Sequence, residues 1–87
     1  MKHTIIDDKV LGNYRDVTIK LKPETSSEAN EIKNYLNYSI QPEQKEIIDD
    51  YLKMIHFNGW GICLADPQRQ EGVFKITFER VRGIGGF

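Results

Sequence analysis

Apolar and polar residues alternate most regularly in Val17-Thr18-Ile19-Lys20-Leu21-Lys22. A period of two predicts a strand with Val17, Ile19 and Leu21 on a core and a basic face in water. Thr4 to Leu11 precede it across Gly12-Asn13, a pair suited to the positive φ angles of a two-residue turn, so Thr4 to Lys22 predicts a β-hairpin. That loop sets Lys9 opposite Asp16 and Ile6 opposite Ile19, both favourable pairs. Asp8 opposite Val17 fits poorly, which predicts a bulge in the first strand.

Pro23-Glu24 ends the strand, and Thr25-Ser26-Ser27-Glu28 has the spacing of a capping box. The helix it opens carries an apolar stripe of Ala29, Ile32 and Leu36 until Asn37-Tyr38-Ser39 breaks the period. Pro42 suits the first turn of a second helix, which buries Ile47, Ile48, Tyr51, Leu52 and Ile55 and closes at Asn58-Gly59. Trp60 to Ala65 reads as a strand, with Trp60, Ile62 and Leu64 sharing one parity. Asp66 to Gly72 reads as a polar loop, and Val73 to Arg82 as a strand with Phe74, Ile76 and Phe78 on the core. The expected fold is α+β in the order ββααββ, a single domain over residues 1 to 82 followed by a flexible glycine-rich tail over 83 to 87.

Length and charge narrow the function. A chain of 87 residues with 39% hydrophobic content has enough apolar material for one core. The single cysteine, Cys63, forms no internal bridge, which suits a reducing cytoplasm. No apolar run approaches the roughly 18 to 20 residues of a membrane span, and the N-terminus lacks the layout of a signal peptide. Net charge is -1, and an acidic middle lies between two mildly basic ends. This argues against a dedicated nucleic-acid binder, which concentrates Lys and Arg.

Taken in order, these segments resemble the ubiquitin-like family. The resemblance lies in Leu11-Gly12-Asn13, in Val17 to Thr25, and in Phe74 through Arg80 and Arg82 to Gly85-Gly86. It implies a β-grasp-like mixed sheet packed on two helices, with Pro42 to His56 as an insertion or replacement where the family has strand. It also implies a protein modifier or carrier, not an enzyme, with no cofactor. Removal of Phe87 by a processing protease of the JAB metalloprotease type would expose the Gly86 carboxylate, with Gly85 beside it. An E1-like activating enzyme would adenylate that carboxylate, and an E2-like conjugating enzyme would pass it to a target lysine, or it would deliver sulfur as a thiocarboxylate. Arg80, Arg82 and Ile84 would help dock these partners. Prokaryotic systems of this kind are in some cases linked to antiviral defence. A non-enzymatic interaction module, such as a phage-encoded inhibitor using the acidic second helix or the Asp66 to Gly72 loop, is the alternative.

Other constellations give weaker signals. Asp7-Asp8 and Asp49-Asp50 are neighbours whose side chains diverge, so neither predicts an acid-base dyad. Cys63, in an apolar segment, reads as a core thiol, with His56 the histidine nearest to it in sequence. His3 and His56 lack metal-ligand spacing, so no metal site is expected. Trp60 reads as a core or rim aromatic. Tyr14, Lys20, Lys22 and Lys75 fall on the uncovered sheet face, where weak single-strand RNA binding is a third possibility beside simple solvation.

Overall fold

The computed structural model describes residues 1–35 and 46–81. β1 (Lys2–Leu11) and β2 (Tyr14–Lys22) form the expected hairpin, with Leu11 opposite Tyr14. Only Gly12 of the turn pair takes a positive φ, +63°. A positive φ at the first central residue alone is the pattern of a type II′ turn, whose twist matches that of the strands. Lys9 faces Asp16 as expected, but a bulge between Ile5 and Asp7 brings Ile5, not Ile6, opposite Ile19. The extra residue Ile6 also reverses the side-chain parity of the strand beyond it.

The capping box opens α1 (Ser26–Tyr35): the Glu28 amide donates to Thr25 Oγ1 at 3.2 Å, and the Thr25 amide donates to Glu28 Oε1 at 3.1 Å. Its buried face differs from the expected stripe. Ile32 is buried, but Ala29 is exposed and Glu31 is buried in its place. The cause is α2 (Glu46–Met54), whose Ile48 amide donates to Glu31 Oε1 at 2.6 Å. Amides in the first turn of a helix lack intrahelical acceptors, and a carboxylate there also meets the positive end of the helix dipole. Tyr35 joins the same two helices by donating to Asp49 Oδ1 at 3.2 Å.

Ile48, Leu52 and Ile55 are the buried residues of the second helical segment; Tyr51 is half-buried and Ile47 faces water. The helix ends at Met54, before the expected Asn58-Gly59 stop. Those two residues instead turn the chain between Phe57 and Trp60, where the Trp60 amide donates to the Phe57 carbonyl at 3.0 Å and Gly59 holds φ +86°. A positive φ at the third position of such a turn is what glycine supplies. The expectations for Leu36, Asn37 to Ser39 and Pro42 lie outside the described residues.

β3 (Trp60–Pro67) runs two residues further than expected, and β4 (Val73–Arg80) completes the sheet in the order β1-β2-β4-β3. All three pairings are antiparallel, which corrects the expected mixed sheet. β3 does run in the direction of β2 after the helical crossover, but it lies one strand away. Its hairpin partner β4 fills the slot between them, so no parallel neighbours form. Val17, Ile19, Leu21, Phe74, Ile76 and Phe78 build one core with Ile32, Ile48, Leu52 and Ile55, all on one face of the sheet. A second bulge, between Ile62 and Leu64, places Ile62 opposite Phe78 on the core side and Leu64 opposite Thr77 on the other. Leu64 is thus half exposed, and Cys63, expected in the core, is an exposed thiol.

Candidate functional site

The helices cover β2 and β4 but leave β1 bare, so every residue of β1 is exposed. The parity change at Ile6 leaves His3, Ile5, Asp8 and Val10 on the helix side, paired with Leu21, Ile19, Val17 and Arg15. Between this bare strand and the end of α2 lies a groove of about 310 Å³ lined by His3, Ile5, Tyr51, Met54, Ile55, His56 and Phe57. Its lining is mostly apolar, with His3, Tyr51 and His56 as the polar residues. His3 Nδ1 and the Tyr51 hydroxyl share a hydrogen bond of 2.8 Å, with the two rings edge to face at 5.7 Å. His56 Nδ1 donates to the Met54 carbonyl at 2.9 Å, which fixes its tautomer and leaves Nε2 free of that bond. Burial pushes the Tyr51 phenol up, helped by the Glu24 and Glu28 carboxylates, so the groove is lined by a neutral hydrogen-bonding hydroxyl.

Phe57, which lines the groove, carries a stacked cation. Arg15 lies 4.0 Å above the centre of the Phe57 ring and 5.8 Å from that of Trp60, while Phe57 meets Phe78 edge to face at 5.2 Å. Asp8 holds the guanidinium in a two-point pair, Nε to Oδ1 at 2.8 Å and Nη2 to Oδ2 at 2.6 Å. The Arg15 hydrogen bonds keep the Asp8 carboxyl below the usual carboxylate range. Asp8 and Asp7 thus take opposite faces of β1, and neither has the other as a catalytic partner. Arg80, a proposed docking residue, is exposed at the end of β4 with its guanidinium 4.6 Å from the Trp60 ring centre. Trp60, expected as a core or rim aromatic, is half-buried at the edge of the core. Arg82, Ile84, Gly85, Gly86 and Phe87 lie outside the described residues.

The remaining titratable candidates separate. Cys63 sits on the far face of the sheet with its Sγ 3.6 Å from Glu79 Oε2. Local desolvation and then the Glu79 carboxylate push that thiol up, the opposite of what activates a nucleophile. The same placement separates Cys63 from His56, which lines the groove on the helix side. His3 and His56 do meet at that groove, although 53 positions separate them in the chain. No local signal in the sequence joins them, because the hairpin and α2 come together only in the tertiary fold. Desolvation, with Asp49 beside it, pushes the Tyr35 phenol up to about 12, so Tyr35 acts as a fixed donor between the helices.

No family model, characterised protein or solved structure matches the chain.

Proposed function

We propose that this domain is a non-enzymatic protein-binding module that seats an apolar side chain of its partner in the groove between β1 and α2. The groove carries the reading. Its lining residues Ile5 and Phe57, beside the buried Ile55, gain by losing contact with water, and His3, Tyr51 and His56 supply hydrogen bonds to the backbone that bears the incoming side chain. Met54, 72% exposed, adds a flexible apolar lip of the kind that adapts to varied shapes. The test uses the partner copurified with the tagged domain and then titrated in pure form by calorimetry. Met54→Glu, at a position 72% exposed, is expected to weaken binding at least tenfold without lowering the melting temperature, and Ile5→Glu, at a half-exposed strand position, is expected to weaken it as much. A chain ending at Val81 is expected to bind as the full chain does. Unchanged binding by both groove variants rejects the module as drawn.

The second reading, a ubiquitin-like modifier or carrier with a β-grasp-like fold, has its own supporting observation. β4 is a central strand whose end is pinned by the Arg80 amide to the Asn13 carbonyl and the Val81 amide to the Gly59 carbonyl, both at 2.8 Å. The chain therefore passes from a rigid strand directly into Arg82-Gly83-Ile84-Gly85-Gly86-Phe87. On this reading Phe87 is removed, Gly86 is adenylated by the activating enzyme, and Arg80 and Arg82 dock that enzyme. Mass spectrometry from the native host, together with an adenylation assay on a chain ending at Gly86, tests it. Retention of Phe87 in all material and no adenylate or thioester with a neighbouring activating enzyme would exclude this reading.

A further inference from the structure

The face of the sheet turned away from the helices gathers lysines at one end. Lys2 of β1 stands directly opposite Lys22 of β2, Lys20 lies on the same face two residues away, and Lys75 of β4 stands opposite Thr18. Like charges directly opposed across two strands destabilise a sheet. Both side chains are exposed, so no packing among the described residues offsets that cost. Lys2 reaches Glu24 at 3.9 Å and Lys75 reaches Asp16 at 3.7 Å, but these are exposed contacts worth little, and Lys20 and Lys22 have no ion pair among the described residues. Thr4 and Thr18 lie among these ammonium groups on the same face, with Asp7 opposite Thr18 and Asp66 opposite Lys75, so the positive charge in excess is concentrated at Lys2, Lys20 and Lys22.

We propose that this face binds the phosphodiester backbone of a single-stranded nucleic acid through Lys2, Lys20, Lys22 and Lys75. The residue type favours phosphate over carboxylate. Carboxylates are best met by the planar fork of arginine, and both described arginines of the sheet, Arg15 and Arg80, lie on the opposite side, stacked on aromatic rings. Jointed, strongly hydrated ammonium groups suit phosphates approached from several directions. Lys20 and Lys22 are separated by about 6.8 Å along β2, with Lys2 and Lys75 on the flanking strands, so a flexible strand can lay successive phosphates across the three. Tyr14, on the same face and half exposed, offers one ring on which a base can stack at the far end. The net charge of -1, together with Asp7 and Asp66 on the same face, sets the expected strength at the non-specific level.

Fluorescence anisotropy with a labelled mixed-sequence DNA or RNA strand provides the test on the full chain. The expected dissociation constant is about 10⁻⁴ to 10⁻⁶ M at low salt, and three or four phosphate contacts weaken binding about 20- to 50-fold between about 50 and 200 mM salt. The double variant Lys20→Gln, Lys22→Gln is expected to flatten the slope of log K on log salt by about 1.4. Its melting temperature should be unchanged or higher, since an opposed like-charge pair is gone. Absence of binding at low salt, a slope unaltered in the double variant, or equally tight binding of poly-glutamate or phosphatidylserine vesicles overturns the proposal. The last two ligands stand for an acidic protein and a membrane surface.

Discussion

Replacing Glu31 tests the contact that fixes the two helices to one another. Its carboxylate is buried, only 6% exposed, and accepts the Ile48 amide at 2.6 Å. A hydrogen bond to an ionised acceptor contributes about 1.5 to 3 kcal/mol, and an amide left buried without a partner costs about 1 to 3 kcal/mol. These figures describe the same lost contact from two sides, so Glu31→Ala is expected to cost about 2 to 3 kcal/mol, not their sum. Glu31→Gln keeps an oxygen acceptor and loses only the charge at the helix N-terminus, worth about 0.3 to 1 kcal/mol and up to about 2 when partly buried. The expected order is therefore wild type, then Gln about 1 kcal/mol below, then Ala. Urea unfolding at fixed pH measures it, and in a domain of this size about 2 to 3 kcal/mol lowers the melting temperature by roughly 10 to 20 °C. Amide exchange at Ile48 should rise more in the Ala variant than exchange at Leu52. If both variants lie within about 0.5 kcal/mol of wild type, or if Gln costs as much as Ala, the carboxylate does not hold α2 as described.

Phe78→Ala removes a ring that is 1% exposed and packed edge to face on Phe57, and should cost about 3 to 5 kcal/mol by chemical denaturation; a loss below 1 would deny it a core position. Gly72→Ala should cost about 1 to 2 kcal/mol, because φ is +77° and the new Cβ would lie 3.3 Å from the Leu21 carbonyl oxygen; an unchanged melting temperature refutes the left-handed conformation. Acid should destabilise the fold through Asp8 and Glu28. The first is held low by Arg15 and the second by the Glu24 amide and then the Met1 ammonium. A carboxyl depressed in the folded state stabilises fully above its unfolded pKa of about 4, and that contribution disappears as pH falls through the folded value. Thermal melts between about pH 6 and 2 should therefore decline less steeply for Asp8→Asn than for wild type, and parallel curves would show that the pair does not couple to folding.

Local periodicity was enough for much of the fold. The alternation of Val17, Ile19 and Leu21 and of Phe74, Ile76 and Phe78 fixed the core face of β2 and β4, since a strand sends successive side chains to opposite sides wherever it runs. Thr25 and Glu28 marked the start of α1 because a capping box closes within four residues. The i, i+4, i+7 spacing of Ile48, Leu52 and Ile55 likewise identified the buried face of the second helical segment. The tertiary structure decided what depends on partners distant in sequence. Bulges at Ile6 and Cys63 reversed the parity of two edge strands beyond them, turning Leu64 outward, because an edge strand is held by one neighbour only and can absorb an extra residue. Ala29 gave way to Glu31 on the inner face of α1 because the first turn of α2 presents an amide there that needs an acceptor. The groove joins His3 and Ile5 to Tyr51 and His56 only because the helices cover the two central strands and leave β1 bare, an arrangement set by the packing of the whole sheet and not by any short segment.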